Sequence, residues 1–160
     1  MKAFFKKYRI PLIGVAIILL AVIIIVSAEL APLLAAKRQY RGRLATIAEA
    51  TEIDYISVSR PLQKTDDPLI TGTETRFTGD EALTLAHKLL PILSALSYSA
   101  REDAIAGDWD MRLRFHIGDE YLDFFVRADA AYISNGSTRY LFTDGTDTVL
   151  SRVAAVLGES

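Results

Sequence analysis

Only two residues of this 160-residue chain are histidines, the side chain most often used for acid–base catalysis and metal binding. His87 falls in a predicted helix and His116 lies beside a predicted turn, so they belong to different elements. Neither has a second histidine or a carboxylate at ligand spacing, whereas a zinc site needs three or four converging ligands. We therefore expect both to be exposed polar residues, and we expect no metal and no cofactor.

Motifs of catalysis and phosphate binding are absent from the sequence, which has no phosphate-binding loop, no Gly-x-Ser-x-Gly and no His-Glu-x-x-His. The chain also has no cysteine, which excludes thiol catalysis and a disulfide framework. A serine and a histidine need only be neighbours in space, so a small envelope hydrolase stays as the least favoured alternative. We expect a protein that is not an enzyme.

Basic side chains alternate along a predicted strand at Arg112, Arg114 and His116, which suggests either an anion-binding face or ordinary cross-strand pairing. The predicted hairpin favours pairing, because it places Arg114 opposite Asp123 and lays Arg112 over Phe125 as a cation–π pair. Four side chains are predicted to form a partner-binding face if one side of the sheet is uncovered: Arg112, Tyr121, Phe125 and Arg139.

A second basic cluster consists of Lys37, Arg38, Arg41 and Arg43. Basic residues near a membrane surface attract anionic lipid headgroups, so these four are candidate lipid contacts. The alternative is a solvated face of a helix.

An apolar run of 19 residues without a charge covers residues 10–28, directly behind Lys2, Lys6, Lys7 and Arg9. As a helix it would be about 28 Å long, which matches the hydrocarbon core of a bilayer. We therefore divide the chain into a basic flank (1–9), a transmembrane signal-anchor helix (10–28), a juxtamembrane helical stalk (29–51) and a domain (52–160).

The basic residues that flank the run predict its orientation. Four lie on each side, but those on the N-terminal side adjoin the run, whereas Lys37 lies nine residues beyond Ala28. The positive-inside rule then favours a cytoplasmic N-terminus and an extracytoplasmic domain. Val26-Ser27-Ala28 resembles a signal-peptidase site, but the run is longer than the 7–15 residues of a signal peptide, so we expect a retained anchor.

The charge of the rest of the chain argues against nucleic acid as a partner. Residues 44–160 contain 10 Lys+Arg and 19 Asp+Glu, a net charge of −9. Binding to phosphates requires a basic patch.

Alternation and turn residues predict an α+β domain. Residues 53–60 and 69–77 suit strands, with a loop at 61–68 between them. Thr78-Gly79-Asp80-Glu81 fits a capping box that begins a helix, in which Pro91 should produce a kink. Residues 101–110 are predicted to be an acidic loop. A final helix with Gly158 as its C-cap follows residue 147.

Two hairpins are predicted between these helices. With Gly118-Asp119 as a two-residue turn, Ile117 faces Glu120 and the register runs back to Met111 opposite Val126. A second hairpin is centred on Asn135-Gly136. The predicted fold is therefore an antiparallel sheet, a meander of hairpins, that two helices cover on one face.

From this organisation we expect a single-pass membrane protein whose acidic domain binds a protein or cell-envelope partner. The main alternative is an accessory subunit of a membrane complex that assembles through the anchor and the stalk.

Overall fold

The chain divides into two compact units, residues 1–36 and residues 37–160. The computed structural model describes residues 2–61, 71–103, 108–135 and 137–158. The elements are α1 (Lys2–Glu49), β1 (Tyr55–Pro61), β2 (Thr71–Thr78), α2 (Gly79–Ser94), β3 (Ser97–Asp103), β4 (Met111–Ile117), β5 (Glu120–Val126), β6 (Ala131–Asn135), β7 (Thr138–Thr143) and α3 (Val149–Val156).

The first unit is part of α1, the one described helix that is long and apolar enough to cross a membrane. Its large apolar side chains between Val15 and Val26 are 48–64% exposed. A helix that is apolar on all sides suits a lipid environment, because water would be an unfavourable solvent for that surface. The structure thus contains a candidate membrane span where the sequence predicts one.

The C-terminal part of α1, residues 37–49, belongs to the second unit. Tyr40 stacks on Phe142 with the ring centroids 3.7 Å apart, and its hydroxyl donates a hydrogen bond of 2.8 Å to the Leu93 carbonyl. The spacing of its buried residues places them on one helical face. These residues are Tyr40, Leu44 and Ile47. Part of the segment that we expected to be a stalk therefore contributes to the domain core.

Seven antiparallel strands form one sheet in the order β2-β1-β4-β5-β6-β7-β3. The predicted α+β fold, with helices packed against an antiparallel sheet, is confirmed. Side chains that alternate along the strands meet on the inner face, which carries the main core. That core includes Ile56, Val58, Met111, Leu113, Phe115, Phe124, Val126, Ile133 and Phe142, together with Leu89 and Leu93 of α2 and Val149 and Val153 of α3.

The register of the β4–β5 hairpin is confirmed residue by residue, from Met111 opposite Val126 to Ile117 opposite Glu120. Gly118 in the turn has φ of +57°, a left-handed conformation that glycine adopts without a steric penalty. The second hairpin closes with Asn135 opposite Thr138, one residue later than a turn centred on Asn135-Gly136 requires.

The predicted acidic loop at residues 101–110 is wrong in its first part. Arg101–Asp103 belong to β3, an edge strand that pairs with β7. Their backbone groups find hydrogen-bond partners about 40 residues later in the chain, which is a long-range interaction that local sequence does not reveal. The predicted loop at 61–68 lies outside the described residues except for Pro61, which ends β1.

Helix α2 begins where the sequence predicts, but without the side-chain hydrogen bond of a capping box. Thr78 is the N-cap in an extended conformation, and its side chain makes no capping hydrogen bond. Pro91 lies inside α2, and its kink stays a prediction. Gly158 follows the C-cap of α3 with φ of +77°, as expected for a glycine that ends a helix.

Candidate partner-binding surface

The outer face of the sheet, opposite the main core, carries a continuous group of tyrosine, histidine and arginine side chains on β2, β1, β4 and β5. We call it the Tyr–Arg surface. It consists of Tyr55, Arg76, Arg112, Arg114, His116 and Tyr121. The three antiparallel registers of β2–β1, β1–β4 and β4–β5 place these residues beside one another, since directly opposed residues on neighbouring strands share a face.

A row of three neighbouring rings forms the centre of this surface. The ring centroids of Tyr55 and His116 are 4.8 Å apart, and those of His116 and Tyr121 are 4.4 Å apart. The Arg76 guanidinium lies 4.3 Å from the Tyr55 ring and that of Arg114 lies 5.3 Å from the Tyr121 ring. Both ends of the row are thus covered by cations, and the exposed part of Tyr121 remains for contact with a ligand.

His116 is not the exposed polar residue that the sequence predicts. Its side chain is 20% exposed, and its Nδ1 lies 3.1 Å from Asp54 Oδ2 without the alignment of a hydrogen bond. The same Asp54 oxygen accepts a hydrogen bond of 2.8 Å from the Gly118 amide. His87, in contrast, is exposed on α2 as expected. The rings beside His116 explain the difference, because they cover both of its faces.

Two arginines of β4 share one carboxylate, an arrangement that we call the Asp123 cluster (Arg112, Arg114 and Asp123). Arg112 Nη2 lies 2.8 Å from Asp123 Oδ2, and Arg114 Nε lies 2.8 Å from Asp123 Oδ1. Arg43 of α1 donates to the backbone carbonyl of the same aspartate. The predicted Arg114–Asp123 pair is confirmed, and so is the contact of Arg112 with the ring of Phe125, at 5.6 Å. Two guanidinium groups against one carboxylate leave an excess of positive charge.

The other half of the outer face is covered rather than open. Phe125, Tyr132, Leu141 and Ala100 lie opposite one another on four successive strands, β5, β6, β7 and β3. Trp109 joins them in a second hydrophobic cluster and contacts the Phe125 ring at 6.0 Å. Phe125, which the sequence places on a partner-binding face, is therefore half-buried in this cluster.

Arg139 is buried beside that cluster and is not available to a partner, contrary to the prediction. It is 3% exposed, with Nη1 2.8 Å from Asp108 Oδ2 and Nη2 2.9 Å from Glu102 Oε2. Arg127 Nη1 lies 3.2 Å from the same Asp108 oxygen. We call this group the Asp108 cluster (Glu102, Asp108, Arg127 and Arg139). Burial raises the pKa of Asp108, but the hydrogen bonds and charges of the two arginines outweigh it, so the pKa is lowered.

The four candidate lipid contacts divide into two pairs. Lys37 Nζ lies 5.5 Å from the Tyr98 ring, and Arg43 lies over the Phe124 ring in addition to its contact with Asp123. Arg38 and Arg41 are exposed. Only the second pair is fully available to a headgroup.

Tyr55 and Arg76 are functional candidates that the sequence did not reveal. Their place on the surface depends on the pairing of β1 with β4 and with β2. The β1–β4 pairing joins segments about 60 residues apart, so local sequence does not predict it. Only the alternation along β1 could have indicated that Tyr55 faces away from the core. Within the described ranges, no group of three or more histidine, aspartate or glutamate side chains is placed to hold a metal ion.

Comparison with protein-family models, curated proteins and solved structures finds no match to this chain.

Proposed function

We propose that the chain is a non-enzymatic, single-pass membrane protein whose α+β domain binds an acidic protein or cell-envelope partner through the Tyr–Arg surface. The domain would lie outside the cytoplasm, following the basic residues that adjoin the apolar run. Arg38 and Arg41 would contact anionic headgroups, since they are the exposed members of the basic cluster.

The observation that carries this proposal is the exposure of Tyr121. Its side chain is 55% exposed. In the described part of residues 37–160, no other large hydrophobic side chain is as open to solvent. Exposed aromatic residues beside arginines are typical of the centres of protein interfaces, where tyrosine and arginine contribute much of the binding energy. The other aromatic side chains of the sheet are at least partly covered.

Charge indicates the chemistry of the partner. Residues 37–160 contain 14 Lys+Arg and 19 Asp+Glu, so most of this unit would repel an acidic ligand. The Asp123 cluster has the opposite local balance, with two guanidinium groups for one carboxylate. Both arginines hold Asp123 through Nε and Nη2, and the second positive charge, which this carboxylate does not balance, favours an acidic partner.

The hydrolase alternative finds little support at the histidines. A general base must reach the proton of its nucleophile by a hydrogen bond. His116 has Asp54 beside it, but its ring faces contact Tyr55 and Tyr121, and its Nδ1 makes no hydrogen bond to any described residue. The surface supports binding better than catalysis.

The test is photocrosslinking in intact cells with a photoreactive phenylalanine analogue at position 121. Position 88, an exposed residue of α2, is the matched control. We expect one partner to crosslink from position 121 but not from 88, and Arg114→Gln to reduce that yield. Equal crosslinking from both positions would contradict the proposal.

An exchange of residues 1–28 for an unrelated membrane anchor distinguishes the main alternative. A partner bound through the Tyr–Arg surface should still crosslink after the exchange. An accessory subunit that assembles through its anchor would lose its complex. Protease accessibility of the C-terminus in the same cells tests the orientation.

A further inference from the structure

Strand β2 is an edge of the sheet that a second strand can join. It pairs with β1 on one side, and in the described part of the chain no strand pairs with its other side. Its register is regular from Thr73 to Thr78, and residues 73–76 are exposed. An uncovered edge presents a row of backbone donors and acceptors that can bind another extended chain.

The charges on this edge are complementary to themselves. Glu74 and Arg76 lie 3.6 Å apart on the outer side of the sheet, with side chains 46% and 56% exposed. In an antiparallel pair centred on Thr75, Glu74 of each copy lies opposite Arg76 of the other. Two identical chains therefore form two ion pairs. Thr75 then faces Thr75 of the second copy, a favourable cross-strand pair.

We propose that two copies of this protein associate through β2, in an antiparallel pair centred on Thr75, so that their sheets become continuous. The symmetry is the closed twofold kind in which one patch binds its own copy.

The charges also select this register over its neighbours. A pair centred on Glu74 would place two glutamates opposite each other, and a pair centred on Arg76 would do the same with two arginines. Like charges directly opposite are destabilising. The centre at Thr75 is the register of these three that satisfies both charges.

The opposite edge of the sheet lacks these properties. Strand β3 has a register shift between Tyr98 and Ala100, and such bulges twist an edge away from a flat partner. A self-pair centred on Glu102 would join Arg101 to Asp103 but would set Glu102 against its own copy. The association is therefore assigned to β2.

The decisive test exchanges charges between two differently tagged full-length chains that are co-expressed in one membrane. Glu74→Lys alone makes residues 74 and 76 both basic, and Arg76→Glu alone makes both acidic. Like charges then face each other in each variant, so its affinity for a second copy of itself should fall about tenfold. Together they should associate at least as well as the wild-type chain, because the introduced lysine faces the introduced glutamate. Tag-to-tag crosslinking measures the yield, and Trp109 fluorescence checks that each variant folds.

Single cysteines locate the register, since the natural chain has none to interfere. Two copies of Thr75→Cys lie directly opposite and should form a disulfide on mild oxidation. Two copies of Thr73→Cys are displaced by four residues, about 14 Å, and should not crosslink.

Three results would overturn the proposal: no self-association of the wild-type chain, full self-association of Glu74→Lys, or a mixture of the two charge variants that stays apart. A disulfide that forms equally from positions 73 and 75 would exclude the proposed register.

Discussion

The Asp123 cluster and the Asp108 cluster use the same residue types on the same face of one sheet, but differ in the burial of one arginine and in charge balance. The Arg139 side chain is 4% exposed, whereas those of Arg112 and Arg114 are 25% and 34% exposed. The two arginines of the Asp108 cluster face three acids, because Arg127 also pairs with Asp129, while the Asp123 cluster has a single acid for two arginines. A buried charge must be paired, but an exposed charge has water as an alternative partner.

The segment before β4 produces this difference. Trp109 lies over one half of the outer face and excludes water from it, and Asp108 in the same segment supplies the carboxylate that Arg139 needs. The other half has no such cover among the described residues. We infer that the buried half stabilises the fold, and that the open half is free to bind.

The largest expected effect distinguishes the two clusters by stability. Arg139→Met leaves Asp108 and Glu102 without their buried partner, and should lower the free energy of unfolding by about 2 to 3 kcal/mol. Arg112→Met leaves Arg114 on Asp123 and should cost less than about 1 kcal/mol. Urea unfolding of the full chain in detergent micelles, followed by the fluorescence of the only tryptophan, measures both. Equal losses would remove the distinction.

The pH dependence of stability sharpens the comparison. The pKa of Asp108 is lowered in the folded protein, so its contribution is complete above the unfolded value of about 4 and is lost as the pH falls through the folded pKa. Asp108→Asn should therefore reduce the decline in unfolding free energy below about pH 4.

Asp144 also has a lowered pKa, through hydrogen bonds from Thr146 and the charge of Arg152, so part of the decline should remain. Arg139→Met should reduce the decline in the same way as Asp108→Asn. An unchanged slope in both variants would show that Asp108 is not paired in the folded state.

A matched pair of tyrosine substitutions compares the covered half of the outer face with the open half. The Tyr132 hydroxyl donates a hydrogen bond of 3.2 Å to the Asp108 carbonyl, and burial raises its pKa to about 12. Tyr132→Phe should lower the free energy of unfolding by about 1 kcal/mol. Tyr121→Phe should change it by less than about 0.5 kcal/mol, because that side chain is exposed. Thermal unfolding under identical conditions compares the two.

Tyr121→Ser removes an exposed ring that packs beside His116, and should lower the free energy of unfolding by less than about 1 kcal/mol. The same variant should lose the proposed partner of the Tyr–Arg surface, as measured by crosslinking from a photoreactive residue at position 119, an exposed residue of the β4–β5 turn. A stable variant that keeps its partner would remove Tyr121 from the binding site.

The parts of the fold that could be predicted are local. The β4–β5 register follows from alternation on both strands and from a turn that contains Gly118, so every element of the prediction lies within 16 residues. Strand β3 was missed because its apolar residues are few and its partner β7 is distant in sequence. Non-local pairing is decided by the packing of the whole sheet.

The site could be predicted in part for the same reason. Arg112, Tyr121 and their cross-strand neighbours follow from the hairpin alone. The burial of Arg139 depends on Glu102 of β3 and on Asp108, which come from other segments of the chain, and no pattern around Arg139 indicates them. The row of rings required Tyr55 from β1, which is far from the hairpin in sequence.

The packing of Tyr40 on Phe142 restricts where proteolysis could separate residues 37–160 from the candidate membrane span without loss of core contacts. A cut between residues 28 and 36 would leave Tyr40, Leu44 and Ile47 in the released fragment. A cut after Arg41 or Arg43 would remove the stacked ring and the hydrogen bond to Leu93, so the shed fragment would lack part of its core. A fragment that keeps this packing must therefore begin before Tyr40.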